Sequence, residues 1–245
     1  MSWKVTSYSV HENRNGSLGQ IERTRIVVRV LVGITCIFLI GGAVVVSLVG
    51  AEEAFELAAG PYNWFRPMME FGSKESCISR LDGVLAEYEY LEDQQPRENG
   101  PIKNAVTYYG TQTAKIYREG LATRGSVTLS CKTATNLSKW LNEIDVREVR
   151  HFGAYNYRTV AGSAVLSEHS FATAIDIMAL DDARVLEHWN DDGEKGDKLK
   201  EAASKACRYF SNVLTPDYND DHLDHFHLDN GPGFAKVRYW LGLCD

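Results

Sequence analysis

Two hydrophobic periodicities run through the C-terminal two thirds of the chain. Apolar residues at i, i+3, i+4 and i+7 predict an amphipathic helix over 133–144, and a similar stripe predicts a second helix over 197–214. Short segments rich in β-branched or alternating apolar residues predict strands over 105–109, 126–130, 173–178 and 226–228. Residues 78–90 fit either a helix or a helix followed by a strand. Helices and strands in no regular βαβ order favour an α+β domain.

The longest apolar run lies nearer the N-terminus. Residues 30–51 contain no charged side chain, and a helix of that length spans about 33 Å, close to the ~30 Å hydrocarbon core of a bilayer. Basic residues precede this run (Lys4, Arg14, Arg23, Arg25 and Arg29), and acidic residues follow it (Glu52, Glu53 and Glu56). The positive-inside rule then predicts a single-pass protein of the cytoplasmic membrane with its amino terminus in the cytoplasm. A cleaved signal peptide or a buried core helix is the alternative.

This orientation divides the chain into four parts. Residues 1–29 form a cytoplasmic tail and residues 30–51 the transmembrane helix. Residues 52–75 are predicted to be a juxtamembrane connector, with chain breakers at Gly60–Pro61 and Arg66–Pro67. Residues 76–245 form one globular domain in the periplasm or extracytoplasmic space. The lipid bilayer is therefore an expected partner, whereas the sequence does not indicate an oligomeric state.

Composition narrows the partners and the compartment further. The net charge is −7, and no long basic run is interleaved with aromatic residues, which argues against nucleic acid as a partner. Four cysteines lie in the predicted exported part: Cys77, Cys131, Cys207 and Cys244. An even number in an oxidising compartment predicts disulfides, but four cysteines allow three pairings.

Candidate chemistry is concentrated near the end of the chain. Three of the seven histidines fall within six residues: His222, His225 and His227. Alternate side chains of a strand share a face, so His225, His227 and Asp229 are expected to project together while Phe226 and Leu228 face the core. This alternation is typical of a half-buried strand that presents imidazoles to a cleft.

A second segment supplies a complementary set of ligands. His169 is predicted to lie on a loop and Asp176 on the strand that follows it. Zinc binds imidazole and carboxylate ligands, and catalytic zinc sites keep a fourth position open for water. With His227, these residues make such a three-ligand set if the two segments converge. Otherwise the histidines are surface residues or satisfied core residues.

These segments resemble a known protein family. The spacing Ser167-x-His169-x-x-Ala172-x-Ala174-x-Asp176 resembles the SxHxxGxAxD motif of the D-alanyl-D-alanine metallopeptidase superfamily, whose fold also occurs in hedgehog signalling domains. The closer resemblance is to the extensin-like C-terminal domain family of bacteria, over most of 77–244. The matching blocks are 129–134, 154–158 with Gly162, 166–170, 174–177, 206–208, Phe210, 213–214, 216–219 and 224–229.

The resemblance implies a fold and a set of roles. The fold would be a small, mostly antiparallel sheet with flanking helices. His169, Asp176 and His227 would bind Zn²⁺, and Asp224, three positions before the last ligand, would be the general base. His225 would stabilise the oxyanion or orient the base, unless it is only an exposed strand residue.

Other residues receive supporting roles from the same resemblance. Arg158 would bind a substrate carboxylate, with a local salt bridge as the alternative. Ser167 would bind substrate or shape the loop. Glu168 and Asp229 would support the ligands or the local structure, because zinc-bound imidazoles donate their outer proton to an acceptor.

The chain departs from the family pattern at two positions. Ala172 replaces the motif's glycine, which is tolerable if its φ is negative. Tyr157 replaces a cysteine, so the family's disulfides do not transfer directly. Pairing of Cys207 with Cys244, and of Cys77 with Cys131, remains the expectation.

The expected function is a membrane-anchored zinc peptidase that hydrolyses peptide bonds in peptidoglycan stem peptides or cross-links. The alternative is a zinc-stabilised, non-catalytic module that binds the cell wall or another protein. The acid at Asp224 favours the enzyme. A metal-free structural domain would require His169, Asp176 and His227 to lie far apart.

Overall fold

A computed structural model describes residues 59–66, 72–92, 102 and 104–232. The predicted cytoplasmic tail (1–29), the charge-free run (30–51) and Cys244 lie outside these residues. Within the described ranges, no helix combines the length and the apolar character that crossing a bilayer requires.

One sheet forms the centre of the domain. Its strands are β1 (Ala86–Tyr90), β2 (Ala105–Thr111), β3 (Lys115–Arg118), β4 (Val127–Ser130), β5 (Glu148–Gly153), β6 (Ala174–Leu180), β7 (Ala183–Arg184), β8 (Asn212–Leu214) and β9 (Phe226–Asp229). The order is β1-β2-β3-β5-β6-β9-β8, with β4 on β2 and β7 on β6. Among these strands, β3 and β5 are parallel and the other pairs are antiparallel. A mixed domain with a mostly antiparallel sheet is thus confirmed, but the sheet has nine strands, where the sequence predicts four and allows a fifth within 78–90.

Few helices accompany the sheet. They are α1 (Lys74–Asp82), α2 (Cys131–Ile144), α3 (Val185–His188) and α4 (Glu194–Ala206), with 3-10 turns over Glu168–Phe171 and Asp220–His222. A further short helix covers 59–65, inside the segment predicted as a connector. Pro61 lies in the first described turn of this helix.

The helix predicted over 197–214 is wrong in its second half. Helix α4 ends at Ala206, and the chain then enters β8, which pairs with β9. Ser211 N donates to Asp229 O at 2.8 Å, so the sheet takes over the backbone hydrogen bonds. The apolar periodicity arises because Phe210 is buried and Val213 packs on the same core from a turn and a strand.

Helix α2 anchors the core. The Ser130 hydroxyl accepts from Thr133 N at 3.3 Å and caps its first turn. Leu137 and Leu141 are fully buried. Trp140 donates its indole N–H to Ala202 O at 2.8 Å, which ties α2 to α4.

A disulfide joins α1 to the start of α2. Cys77 and Cys131 are bonded, so the pairing expected for these two cysteines is confirmed. Cys207 is also disulfide-bonded, and its expected partner Cys244 lies outside the described residues.

Candidate metal centre

Two neighbouring strands place two of the expected ligands side by side. Asp176 on β6 and His227 on β9 are directly paired in the antiparallel register. The residues flanking them point into the core and are fully buried: Ile175, Ile177, Phe226 and Leu228. The predicted alternation along 225–229 is therefore confirmed, and the sheet itself positions these two side chains.

His169 comes from the turn that precedes β6. Ser167 caps this 3-10 turn, its hydroxyl accepting from His169 N at 3.4 Å. The turn ends at Ala172 with φ of 56°, so the expectation of a negative φ is wrong. The left-handed conformation costs an L-residue about 1–2 kcal/mol. Complete burial of the Ala172 methyl, worth about 0.8 kcal/mol, offsets much of that cost.

The turn and the two strands bring three donor atoms together. His169 Nε2 lies 3.2 Å from Asp176 Oδ2 and 3.2 Å from His227 Nδ1. His227 Nδ1 lies 2.9 Å from Asp176 Oδ1. The three residues form a group that could hold a metal ion, with all candidate ligand atoms within 4.8 Å of one another.

The outer nitrogens of both imidazoles are held by acceptors. His169 Nδ1 lies 2.5 Å from Ala154 O, and His227 Nε2 lies 3.0 Å from Asp229 Oδ2. A carbonyl and a carboxylate accept protons, so both outer nitrogens donate. In the neutral rings, the inner nitrogens of His169 and His227 then carry lone pairs that face the Asp176 carboxylate. An arrangement of acceptors facing acceptors calls for a cation between them.

The electrostatics of the cluster favour positive charge at the same point. Burial lowers the pKa of His227, but hydrogen bonds with Asp176 and Asp229 offset this and raise it to about 9. Burial by itself raises the pKa of Asp176, yet hydrogen bonds with His169 and His227 bring it below its usual range. A proton on His227, or a metal ion between the three donors, satisfies this demand.

Asp224 and His225 form a pair beside these ligands. Asp224 Oδ1 accepts from His225 Nδ1 at 2.7 Å, and His225 Nε2 lies 3.6 Å from Asp176 Oδ1. The imidazole therefore stands between the Asp224 carboxylate and the cluster. The ring of His222 lies 5.2 Å from that of His225 and 5.9 Å from that of His227, while its Nδ1 contacts Asn219 Oδ1 at 2.5 Å.

A cavity of about 150 Å³ opens beside the cluster. Its walls include Arg158 together with His169 and Asp176. Arg158 is exposed and makes no ion pair with any described residue, which disfavours the local salt bridge. Ser167 is buried and shapes the turn.

Family membership is shown by how much of the chain a family profile covers. A family profile described as "Extensin-like protein C-terminus" matches residues 75–239. The chain belongs to this family. It has no significant match among curated proteins or among solved structures.

Two contacts of this extensin-like domain have no signal in the sequence. The acceptor for His169 Nδ1 is the backbone carbonyl of Ala154, and backbone carbonyls leave no residue-type signature. The second is Glu168, which bonds Arg66 rather than an imidazole. Arg66 lies nine residues ahead of the region that the family profile matches.

Proposed function

We propose that this protein is a zinc-dependent peptidase that hydrolyses peptide bonds in peptidoglycan stem peptides or cross-links. The observation that carries the proposal is the convergence of His169 Nε2, His227 Nδ1 and the Asp176 carboxylate, with both outer nitrogens held by acceptors. The resemblance of 167–176 to the metallopeptidase motif supports the same chemistry.

The spacing of the donors suits zinc. Ligands at 2.0–2.1 Å from a tetrahedral ion lie about 3.3 Å from one another. Here the two inner nitrogens are 3.2 Å apart, and each lies 2.9–3.2 Å from a different oxygen of the Asp176 carboxylate. A zinc ion held by two imidazoles and one carboxylate would keep a fourth position for water or substrate. The cavity lined by His169 and Asp176 gives access to these residues.

The chain's own residues supply proton transfer. A zinc ion held by His169, Asp176 and His227 would polarise a peptide carbonyl and lower the pKa of water. His225 Nε2 faces the cluster and can accept a proton and return it to a leaving amine. Asp224 holds the opposite nitrogen at 2.7 Å and stabilises the charged imidazole. Asp224 then acts through His225, which refines its expected role as the base.

Arg158 supplies orientation. Arg158 lines the same cavity as His169 and Asp176, and its side chain makes no ion pair with a described residue. A peptide carboxylate bound there in a bidentate contact is held at a fixed distance from the cluster. Stem peptides end in such a carboxylate.

The location is part of the proposal. The charge-free run over 30–51 and its flanking charges support a single-pass anchor with the domain outside the cytoplasm. A protease applied to spheroplasts should cleave the chain after residue 51 and leave the amino terminus intact. Cleavage of the amino terminus instead would reverse the orientation.

The deciding experiment is turnover of purified muropeptides by the full-length chain in detergent, with zinc and then with chelator. Mass spectrometry reads the products, and zinc content is measured on the same sample. Chelator-sensitive cleavage supports the peptidase and identifies its bond. One bound zinc without cleavage of a broad muropeptide set favours the binding module, and absence of bound zinc overturns the proposal.

A further inference from the structure

The helix over 59–65 packs against the turn that carries His169. The Asn63 side chain donates to Ala164 O at 3.0 Å and accepts from Leu166 N at 2.7 Å. Tyr62 meets Phe171 edge to face, with ring centroids 6.4 Å apart. This helix precedes the region that the family profile matches, yet it contacts both sides of the ligand-bearing turn.

A buried ion pair lies at the centre of this contact. The Arg66 side chain is 2% exposed and the Glu168 side chain 10% exposed. Arg66 Nε lies 2.9 Å from each carboxylate oxygen of Glu168, and Nη2 lies 2.5 Å from Oε2. Glu168 is the residue directly before His169. A forked guanidinium contact of this kind fixes the carboxylate in direction as well as in distance.

The remaining acceptor sites of Glu168 are also occupied. Thr173 Oγ1 donates to Oε2 at 2.5 Å, and the Tyr62 hydroxyl donates to Oε1. Burial, followed by the negative charge of Glu168, raises the pKa of Tyr62 above its usual range, so the phenol stays protonated. A buried carboxylate with every lone pair engaged has little freedom to move.

Arg66 also reaches the segment that carries the other histidine ligand. Its Nη2 lies 3.4 Å from the carbonyl oxygen of Asn230, and Asn230 follows Asp229, which holds His227. Gly231 packs directly on Glu168, since a Cβ there would lie 2.5 Å from the Glu168 Cδ atom. One guanidinium thus contacts both segments that supply histidine to the centre.

We infer that Arg66, acting through Glu168 and Asn230, is a positioning residue that holds His169 and His227 at the separation a metal ion needs. The inference rests on the proposed metal centre. It assigns part of that centre's geometry to a helix outside the family-matched region. Arg66 also neutralises Glu168, which would otherwise place an unpaired buried charge beside a ligand.

The test measures zinc affinity of the full-length chain in detergent by competition with a chromogenic chelator. Arg66→Met retains the apolar stem and removes the charge, and we expect the zinc Kd to rise on the order of tenfold to one-hundredfold. Asn63→Ala removes two of the helix contacts and should raise the Kd by less. With cobalt(II) in place of zinc, the visible spectrum of Arg66→Met should shift, because the ligand geometry changes.

Lys198→Met is the matched control. Lys198 pairs with Asp181 at 2.5 Å. Asp181 follows the last residue of β6, whereas Asp176 lies near the beginning of that strand, so loss of this ion pair weakens the fold away from the centre. We expect a lower melting temperature with an unchanged zinc Kd and cobalt spectrum. If the zinc Kd of Lys198→Met rose as much as that of Arg66→Met, the Arg66 effect would be explained by general destabilisation, and the inference would be overturned.

The remaining outcomes separate the two proposals. If the wild-type chain binds zinc and Arg66→Met binds it equally well, the positioning role is wrong while the metal centre stands. If the wild-type chain binds no zinc, the proposed function fails and the inference fails with it. Should Arg66→Met not fold, the double variant Arg66→Met/Glu168→Gln removes both buried charges. A raised Kd in that folded variant supports the inference, and an unchanged Kd overturns it.

Discussion

His227 donates its outer Nε2 proton to Asp229, across 3.0 Å and two positions along the same strand. Asp229 is itself held, because its Oδ1 accepts from Asn212 Nδ2 and from Gly231 N at 2.7 Å each. The imidazole is therefore fixed in rotamer and tautomer by groups on its far side. A metal ion would therefore meet an imidazole whose orientation is already set.

Asp229→Asn should weaken zinc binding without removing a ligand. The amide is a weaker acceptor than the carboxylate and carries no charge, so the zinc Kd should rise on the order of tenfold to one-hundredfold in a competition titration. Asp217→Asn is a suitable control, because Asp217 accepts from the Trp189 indole N–H at 3.0 Å in a comparable contact outside the cluster. Equal affinities in the two variants would contradict the role of Asp229.

His225→Ala should retain zinc and lose activity. Loss of a general base lowers kcat on the order of 10²- to 10⁴-fold. Asp224→Asn should lose less, because asparagine can still accept from His225 Nδ1. Both effects are read as kcat on a purified muropeptide, with zinc content measured in parallel. A larger loss in Asp224→Asn than in His225→Ala would make Asp224 itself the base.

Arg158→Lys should raise KM more than it lowers kcat. The forked contact to a carboxylate becomes a single one, and a charge-assisted hydrogen bond contributes about 1.5–3 kcal/mol, equivalent to a rise in KM of roughly tenfold or more. Steady-state kinetics on a stem peptide and on its C-terminally amidated form check the cause. The wild-type protein and Arg158→Lys should differ in KM on the free-acid peptide and have the same KM on the amidated peptide. A difference on both substrates would show that Arg158 does not bind the carboxylate.

Replacing Cys77 and Cys131 by serine should lower the free energy of unfolding by about 4 kcal/mol. The bond closes a 54-residue loop, and the figure follows from the chain entropy that such a loop removes from the unfolded state. Urea denaturation of both proteins measures the difference. Substitution is preferable to a reducing agent, since Cys207 is disulfide-bonded as well. Equal stabilities would show that the loop is already restricted in the unfolded chain.

His151 predicts acid sensitivity of the fold. Burial, together with the positive charge of Arg118, lowers its pKa from 6.5 to about 4, and neither ring nitrogen has a hydrogen-bond partner in the described structure. The unfolded chain therefore binds more protons between these values. Titration of His151 should therefore lower the free energy of unfolding by about 3 kcal/mol as the pH falls from 7 to 4.

His151→Leu removes that titration, so its free energy of unfolding should fall less over the same pH range. Urea denaturation at pH 7 and pH 4, with chelator in every sample, isolates the difference from metal release. Parallel pH dependence in both proteins would contradict the lowered pKa.

The two strands that carry Asp176 and His227 could be predicted from residue types. The alternation of polar and apolar residues over 225–229 indicates a half-buried strand, and Ile175 and Ile177 mark the partner strand in the same way. The convergence of His169 with Asp176 and His227 then follows from the family motif. Strands β3 and β5 escape such a pattern, because Lys115–Arg118 and Glu148–Gly153 carry charged residues among few apolar ones.

Other features depend on contacts that the pattern of residue types does not record. Residues 207–214 retain a helical apolar period, but pairing with β9 is the stronger constraint. Ala172 adopts a positive φ because the turn demands it, not because of its residue type. The direction of the Asp224 carboxylate and the burial of Arg66 arise from partners one and 102 residues away.

The position of β9 in the chain has a consequence for biosynthesis. A ribosome releases the polypeptide from its amino terminus, so the helix over 59–65 and the first cysteines emerge well before β9. Asp176 and His169 are therefore synthesised some fifty residues before their partners His227 and Asp229. A nascent chain stalled before residue 227 has two of the three donors and no fixed partner for them. If the proposed metal centre forms, metal loading would therefore follow translation and take place wherever the finished domain folds.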